Sequence, residues 1–418
     1  MKNDSILKVS KSKLEGIVEI SGAKNSVLKL LTASLLTSEN ISISNYPAGL
    51  LDAQIHVGML EVLGKKCVVG LDKISIIESK NIQTTLKWDE RSIRNTLLIL
   101  GCLLTRKGTG KVPLPGGCKL GDRKYDLHID IFEKMGAKVW EEDNYLCAEA
   151  KGRLKGADIF LPIRSTGATE NAILCATLAE GTTRIWGPHI RPEIIDLIHF
   201  LNKMGAKIKV FGQEHIEVIG VEELYGTTHE VIPDNMEALT WLIAGTVTKG
   251  DLEIKNFPFE HLEVPLIHLR ESGSIFYRNN SDLIVRSGTP YPIEISTGPY
   301  PGINSDMQPL FAVYAAFAKG QSKIIDLRFA NRFSYADEMA KMGLHSRVED
   351  NMLIIKGVSS LKGSKVTAID LRAGAALLIA GLASEGETII HQPWMIMRGY
   401  NNILKKLEKL GANIITQA

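Results

Sequence analysis

The sequence predicts an α/β fold of two similar lobes, each of three βα repeats with buried helices surrounded by sheets, an inside-out α/β barrel. Three observations carry this expectation. A motif apolar-x-x-[Met/Leu]-Gly recurs six times with a period of about 70 residues. A second motif of the same period is an alanine- and leucine-rich run, then a turn, then a β-rich run. At 418 residues the chain is also too long for one ordinary core.

The first motif is clearest at Leu60–Gly64, Phe132–Gly136 and Leu201–Gly205, weakens at Leu269–Gly273, and returns at Met339–Gly343 and Leu407–Gly411. Its glycines fall 72, 69, 68, 70 and 68 residues apart. Most copies continue into Val or Ile within a few residues, which reads as a helix, a glycine C-cap and entry into a strand. The second motif turns at Lys107-Gly108, Glu180-Gly181, Lys249-Gly250, Lys319-Gly320 and Glu385-Gly386, with Ser38-Glu39 in the first copy. The helix before each turn is apolar on nearly every side, as in Ala172–Ala179, and such a helix is buried. A plain solenoid is the competing reading, but solenoid units are usually shorter, about 20–50 residues. Six larger units divide better into two globular lobes. The chain crosses between them near Glu230–Pro233, and the stretch Ser5–Ile20 precedes the first full unit and completes the other lobe. The expected boundaries are 21–232 for the first lobe, which carries the Pro113–Lys124 loop, and 1–20 plus 233–418 for the second.

Composition narrows the function classes. An apolar fraction of 44% with 23% charged residues is that of a soluble globular protein. A net charge of +2 from 49 basic and 47 acidic residues gives no bulk attraction to nucleic acid or membrane. Five widely spaced cysteines without metal-ligand spacing argue for a reducing compartment and against a disulfide framework or zinc site. No signal peptide or long apolar segment is evident, so the expected location is cytoplasmic.

Pro113 to Lys124 packs prolines and glycines too densely for a helix or interior strand, so it reads as an exposed loop with Cys118 at its tip. Lys119, Arg123 and Lys124 are cationic neighbours that lower a thiol's pKa. A surface loop with an incidental thiol is the bland alternative. Charged residues also cluster oddly around the starts of the buried helices. Lys24 and Asn25 follow Gly22 at the first, Arg94 precedes the second, and Ser165-Thr166-Gly167 open the third with hydroxyls and backbone N–H groups. Asp306, Arg372 and Arg398 stand at expected helix starts in the second half, with Arg332 nearby. Lys24 and Asn25 alone fit an anion site or a plain cap equally well. Several arginines opposing helix dipoles are costly unless an anion arrives, which suggests helix starts facing each other across an anion-binding cleft.

The motifs Ser-Gly-Ala-Lys-Asn, Leu-Pro-Gly-Gly-Cys, Gly-Ala-Thr-Glu-Asn, Ser-Asp-Met-Gln, Asn-Arg-Phe, Asp-Leu-Arg-Ala and Arg-Gly-Tyr resemble, in order and in register, those of the bacterial enolpyruvyl transferases. The resemblance runs from about residue 7 to the C-terminus and is nearest to the branch acting on UDP-N-acetylglucosamine in peptidoglycan precursor synthesis. It implies transfer of the carboxyvinyl group of phosphoenolpyruvate to a hydroxyl of a uridine nucleotide, by addition and then elimination of phosphate. It implies no metal and no cofactor, since fixed cations would stabilise the shifting charge. By the same resemblance Lys24, Arg123 and Arg398 would bind the phosphate of phosphoenolpyruvate, with Arg94, Arg332 and Arg372 completing the basic cleft. Cys118 would donate a proton to the methylene carbon, Asp306 would take the acceptor's hydroxyl proton, and Asp370 would assist proton traffic. Asn25, Asp126, Leu127, Ser165, Thr166, Gly167, Ser305 and Arg328 would hold the acceptor. The expected partners are these two substrates, with no nucleic acid or membrane, in a monomer or weak oligomer.

Departures from the family pattern surround the acceptor. Ile190-Arg191-Pro192-Glu193 replaces Arg-Glu-Pro-Glu, Ile303-Asn304-Ser305-Asp306 replaces Phe-Pro-Thr-Asp, and Arg328-Phe329-Ala330 precedes Asn-Arg-Phe where an apolar residue and a glutamate are usual. Arg164, Arg191 and Arg328 each add positive charge. Drift in a distant member explains this, and so does an acceptor of different shape, such as the 3′-hydroxyl of UMP in secondary metabolism. An inactive repeat scaffold is a third reading, opposed by the presence of Lys24, Cys118 and Asp306.

Overall fold

The computed structural model describes residues 5–91, 93–114, 125–329 and 332–417. Within them the helices, in chain order, are α1 (Lys24–Ala33), α2 (Leu51–Val62), α3 (Thr96–Lys107), α4 (Asp126–Lys134), α5 (Thr166–Ala176), α6 (Pro192–Lys203), α7 (Asn235–Val247), α8 (Glu263–Glu271), α9 (Gln308–Ala316), α10 (Tyr335–Ala340), α11 (Leu371–Ala383), α12 (Trp394–Met397) and α13 (Ile403–Lys409). The fold is mixed α/β.

The helices alternate between two kinds, as their compositions require. α1, α3, α5, α7, α9 and α11 are the alanine- and leucine-rich runs, and every residue of α7 and α9 is buried. α2, α4, α6, α8, α10 and α13 bury one face only. Each of these six ends at a glycine of the first motif, and all six glycines take φ between +81° and +107°. That left-handed backbone is open to glycine at little cost and turns the chain from helix into strand.

A strand follows each buried helix: Ile41–Ser44, Thr109–Pro113, Thr182–Trp186, Asp251–Lys255, Gln321–Ile325 and Glu387–His391. Each of the first five pairs antiparallel with the second strand of a hairpin. For the sixth the partner comes from the far end of the chain: Ile6–Ser10 lies between Glu387–His391 and Asn413–Gln417, with Ile6 opposite both His391 and Gln417. Along Glu387–His391 buried and exposed residues alternate, so one face meets the helices and the other meets solvent. The sheets are separate, and none closes on itself.

Buried apolar side chains form two clusters. One runs from Ala23 to Val231; the other gathers Leu7 to Ile20 with Met236 to Leu410. In the first, α3 packs against α1 and α5; in the second, α7, α9 and α11 pack pairwise. The chain passes between clusters twice, and the two passing segments are hydrogen-bonded to each other, Ala23 N to Ile232 O at 2.8 Å and Asp234 N to Ser21 O at 2.9 Å. Gly22 at this crossing has no room for a side chain, since a Cβ would lie 2.0 Å from the Asn45 carbonyl oxygen. Among the described residues no helix is long and apolar enough to cross a membrane.

Candidate active site

A cavity of about 1250 Å³ opens where residues of the two clusters face each other. From the first half Asn25, Arg94, Asp126, Leu127, Ser165, Thr166 and Gly167 line it; from the second, Ser305, Asp306, Arg328 and Arg332. Helix starts supply much of this wall. Ser165 is the N-cap of α5, its Oγ accepting from Ala168 N at 3.4 Å, which aims the first turn at the cavity. Asp126 opens α4, where an acid suits the helix dipole.

Asp306 is the electrostatic centre of the second wall. Arg332 donates through Nη2 to its Oδ1 at 2.7 Å and through Nη1 to Ser305 Oγ at 3.0 Å. Arg372 Nε stands 3.6 Å from Asp306 Oδ2. Burial alone would push this carboxyl up, but the Arg332 and Arg372 guanidiniums outweigh it and hold Asp306 well below the ordinary carboxylate range. Arg372 is 1% exposed, and its Nε and Nη1 have no hydrogen-bond partner among the described residues. Asp370 is the N-cap of α11, its Oδ1 accepting from Arg372 N at 2.7 Å and Ala373 N at 2.8 Å. It fixes the turn from which Arg372 projects.

A second buried cluster joins the two halves. Asp52 on α2 receives Lys24 Nζ at 2.9 Å on Oδ2 and Arg398 Nε at 2.8 Å on Oδ1. Lys24 is held from behind as well, its backbone N donating to Asp234 Oδ2 at 2.9 Å. Arg398 does not stand at a helix start as the sequence suggested. It is the C-cap of the four-residue α12, so no opposing dipole strains it, and its charge is met by Asp52. Arg332 and Arg372 are met in the same way by Asp306.

Lys24, Asp370, Arg372 and Arg398 are therefore buried behind the cavity wall rather than on it, with Arg372 reaching the wall through Asp306. Cys118, Arg123 and Asn331 lie outside the described residues. Three residues that hold the site were missed in the sequence. Besides Asp52, Asp326 is 1% exposed and accepts from Ser305 Oγ at 2.6 Å, Gln308 Nε2 at 3.1 Å, Thr297 Oγ1 at 3.0 Å and the backbone N of Arg328 at 2.8 Å. The only signal for it was an acid ending an apolar strand. His189 lines the cavity and spans it, its Nε2 accepting from Tyr300 N at 3.3 Å. Its proton is then on Nδ1, which donates to Thr166 Oγ1 at 2.8 Å. Burial first, then Arg191 and Arg328, press its pKa down to about 4, so the ring is neutral.

The departures noted above have distinct fates. Arg191 is buried in a bidentate pair with Glu193, both contacts 2.7 Å. Arg328 donates through Nη1 to the Arg164 carbonyl at 3.2 Å, and Arg164 donates to Gln213 Oε1 at 2.9 Å. Among the described residues neither guanidinium pairs with a carboxylate.

Comparison with known proteins agrees with this architecture. Residues 9–407 match the family described as EPSP synthase (3-phosphoshikimate 1-carboxyvinyltransferase). The chain belongs to this family of enolpyruvyl transferases. It is 41% identical to the UDP-N-acetylglucosamine 1-carboxyvinyltransferase of Finegoldia magna over 98% of each chain. It is 42% identical to UDP-N-acetylglucosamine 1-carboxyvinyltransferase 1 of Carboxydothermus hydrogenoformans, covering 96% of this chain and 95% of that one. Among solved structures, the enolpyruvyl transferase NikO of Streptomyces tendae superposes with a TM-score of 0.89 at 24% identity, over 99% of each chain. The EPSP synthase of Acinetobacter baumannii gives 0.75 at 17% identity, over 99% of this chain and 100% of that one. These two likenesses concern the fold.

Proposed function

We propose that the protein transfers the enolpyruvyl group of phosphoenolpyruvate to a hydroxyl of UDP-N-acetylglucosamine, releasing phosphate. The observation that carries this is Asp306, a partly exposed carboxylate fixed between Arg332 and Arg372 on the wall of a cavity shared by both halves of the chain. The full-length relatives at about 40% identity support the choice of acceptor.

The chemistry follows from the charges. Asp306 is too well stabilised by its two arginines to be a good base in the empty site. An anionic substrate engaging Arg332 and Arg372 would draw them away and raise the basicity of Asp306 when it is needed. The acceptor oxygen then adds to C2 of phosphoenolpyruvate, its proton passing to Asp306 while C3 takes a proton from Cys118. Phosphate then leaves C2 with the proton held on Asp306, and a proton from C3 returns to the Cys118 thiolate, which restores the vinyl group. Lys24, Arg123 and Arg398 would hold the phosphate, with Asp52 keeping Lys24 and Arg398 in place beforehand. Arg94 would add to the cationic wall, and Asp370 would serve proton traffic while anchoring Arg372. Asn25, Asp126, Leu127, Ser305 and the Ser165–Gly167 turn would hold the acceptor.

In this reading the two apolar clusters are two lobes, 21–232 and 1–20 plus 233–418. Each is an inside-out barrel of three units, closing on the substrates with the Cys118 loop as lid. A cytoplasmic monomer or weak oligomer fits an enzyme acting on soluble nucleotides. One observation favours a second reading: among the described residues Arg164 and Arg328 have no carboxylate partner, as a smaller acceptor such as UMP, with a phosphate at that place, would require. Phosphate release measured with each acceptor tests the two readings, and release with UDP-N-acetylglucosamine far above that with UMP is the expected result.

A further inference from the structure

Glu170 lies on the cavity wall although no motif reading gave it a role. It is 2% exposed. Its Oε1 is buried without a hydrogen-bond partner among the described residues, and its Oε2 is 3.5 Å from Lys29 Nζ. Lys29, also on the wall, spends a second donor on Asn95 Oδ1 at 3.0 Å. A buried carboxyl oxygen with no donor is costly. Burial pushes this carboxyl up to about 7, against the pull of Lys29 and Arg191.

Helix geometry says what would satisfy Glu170. It stands four residues after Thr166 on α5, and Lys29 stands four residues after Asn25 on α1. Side chains at that spacing share a helix face one turn apart. Asn25 and Thr166 are residues to which the proposed function gives the acceptor, so Lys29 and Glu170 form the floor one turn beneath it. The free Oε1 calls for a neutral donor, and the sugar of the acceptor carries hydroxyls and an amide N–H.

We propose that Glu170, oriented by Lys29, is a specificity-determining residue that accepts a hydrogen bond from a hydroxyl or amide N–H of the acceptor's sugar. The inference rests on the proposed function. It adds a contact that reads the sugar and leaves the nucleotide alone.

The test compares wild type, Glu170→Gln and the apolar double variant Lys29→Met/Glu170→Met, with UDP-N-acetylglucosamine and with UDP, which lacks the sugar. Glutamine cannot both face Lys29 with an acceptor and keep one for the ligand, so its KM for UDP-N-acetylglucosamine should rise about tenfold. The Kd for UDP, measured by calorimetry, and the KM for phosphoenolpyruvate should stay within about twofold. The double variant should show the same split without a lower melting temperature, because it removes a charged pair whose burial is itself costly. An unchanged KM for the sugar nucleotide in both variants overturns the inference, as does an equal loss for UDP and UDP-N-acetylglucosamine. Early melting with unchanged kinetics overturns it too, leaving the pair a structural one. A wild type that does not turn over UDP-N-acetylglucosamine overturns the functional reading first, and this inference with it.

Discussion

Arg398 Nε lies 2.8 Å from Asp52 Oδ1, although 346 residues separate them in the chain. With Lys24 on the other oxygen, a single carboxylate is shared by two cations and ties the first apolar cluster to the second. The Asp52 pKa reflects that balance: burial raises it, but Lys24 and Arg398 together bring it below its ordinary value.

The first expectation concerns this tie. Asp52→Asn removes the buried carboxylate that Lys24 and Arg398 share and should cost about 3–5 kcal/mol in chemical denaturation. Because the folded-state pKa of Asp52 is depressed, its contribution is full above the unfolded value near about 4 and is lost as pH falls below it. The gap between wild type and variant should therefore be widest at neutral pH and close in acid. A gap independent of pH would remove the ion cluster as its cause.

Asp306→Asn tests the proposed base. The amide keeps the size and can still accept from Arg332, so the fold should hold while kcat falls about 100-fold or more. Calorimetry of phosphoenolpyruvate binding separates the base from its arginines. Turnover near wild type would take the proton-accepting role away from Asp306.

How much of this was legible in the sequence depends on range. The glycines at 64, 136, 205, 273, 343 and 411 could be read because a helix C-cap is a local demand, and all six are left-handed as that demand requires. Ser165 and Asp370 could be read as helix starts for the same reason. Asp52 could not, because an acid in the first turn of a helix already has a sufficient local explanation, and its partner comes from the other end of the chain. Asp326 and His189 were hidden likewise, since their side-chain-to-side-chain contacts and the His189 contact to Tyr300 reach 18 to 111 residues away. Arg398 was misplaced because Trp394–Met397 is too short to leave a helical pattern.

Thiol reactivity gives a third expectation. Cys102 and Cys175 are fully buried and their pKa values are pushed up, that of Cys175 to about 12; Cys67 is pushed up to about 12 as well, and Cys147 is raised. Burial is the leading cause in each. Cys118, with its cationic neighbours in sequence, should be the cysteine alkylated first by iodoacetamide at neutral pH, read by peptide mapping. Modification of any other cysteine ahead of it would contradict the assignment.

Arg328 separates the two acceptors. Its Nη1 already serves the Arg164 carbonyl, so Arg328→Ala should leave the KM for UDP-N-acetylglucosamine within about threefold. If a smaller nucleotide places a phosphate there, the same change should raise that acceptor's KM about tenfold, the equivalent of about 1.4 kcal/mol. A tenfold loss with the sugar nucleotide would mean that Arg328 reads it directly.

The central claim is the reaction itself, and phosphate release from phosphoenolpyruvate tests it most directly. The purified protein is supplied with phosphoenolpyruvate and, separately, UDP-N-acetylglucosamine, UMP or shikimate 3-phosphate. The account expects stoichiometric phosphate and an enolpyruvyl ether with UDP-N-acetylglucosamine. Release with shikimate 3-phosphate alone, or with no acceptor in the panel, would contradict it.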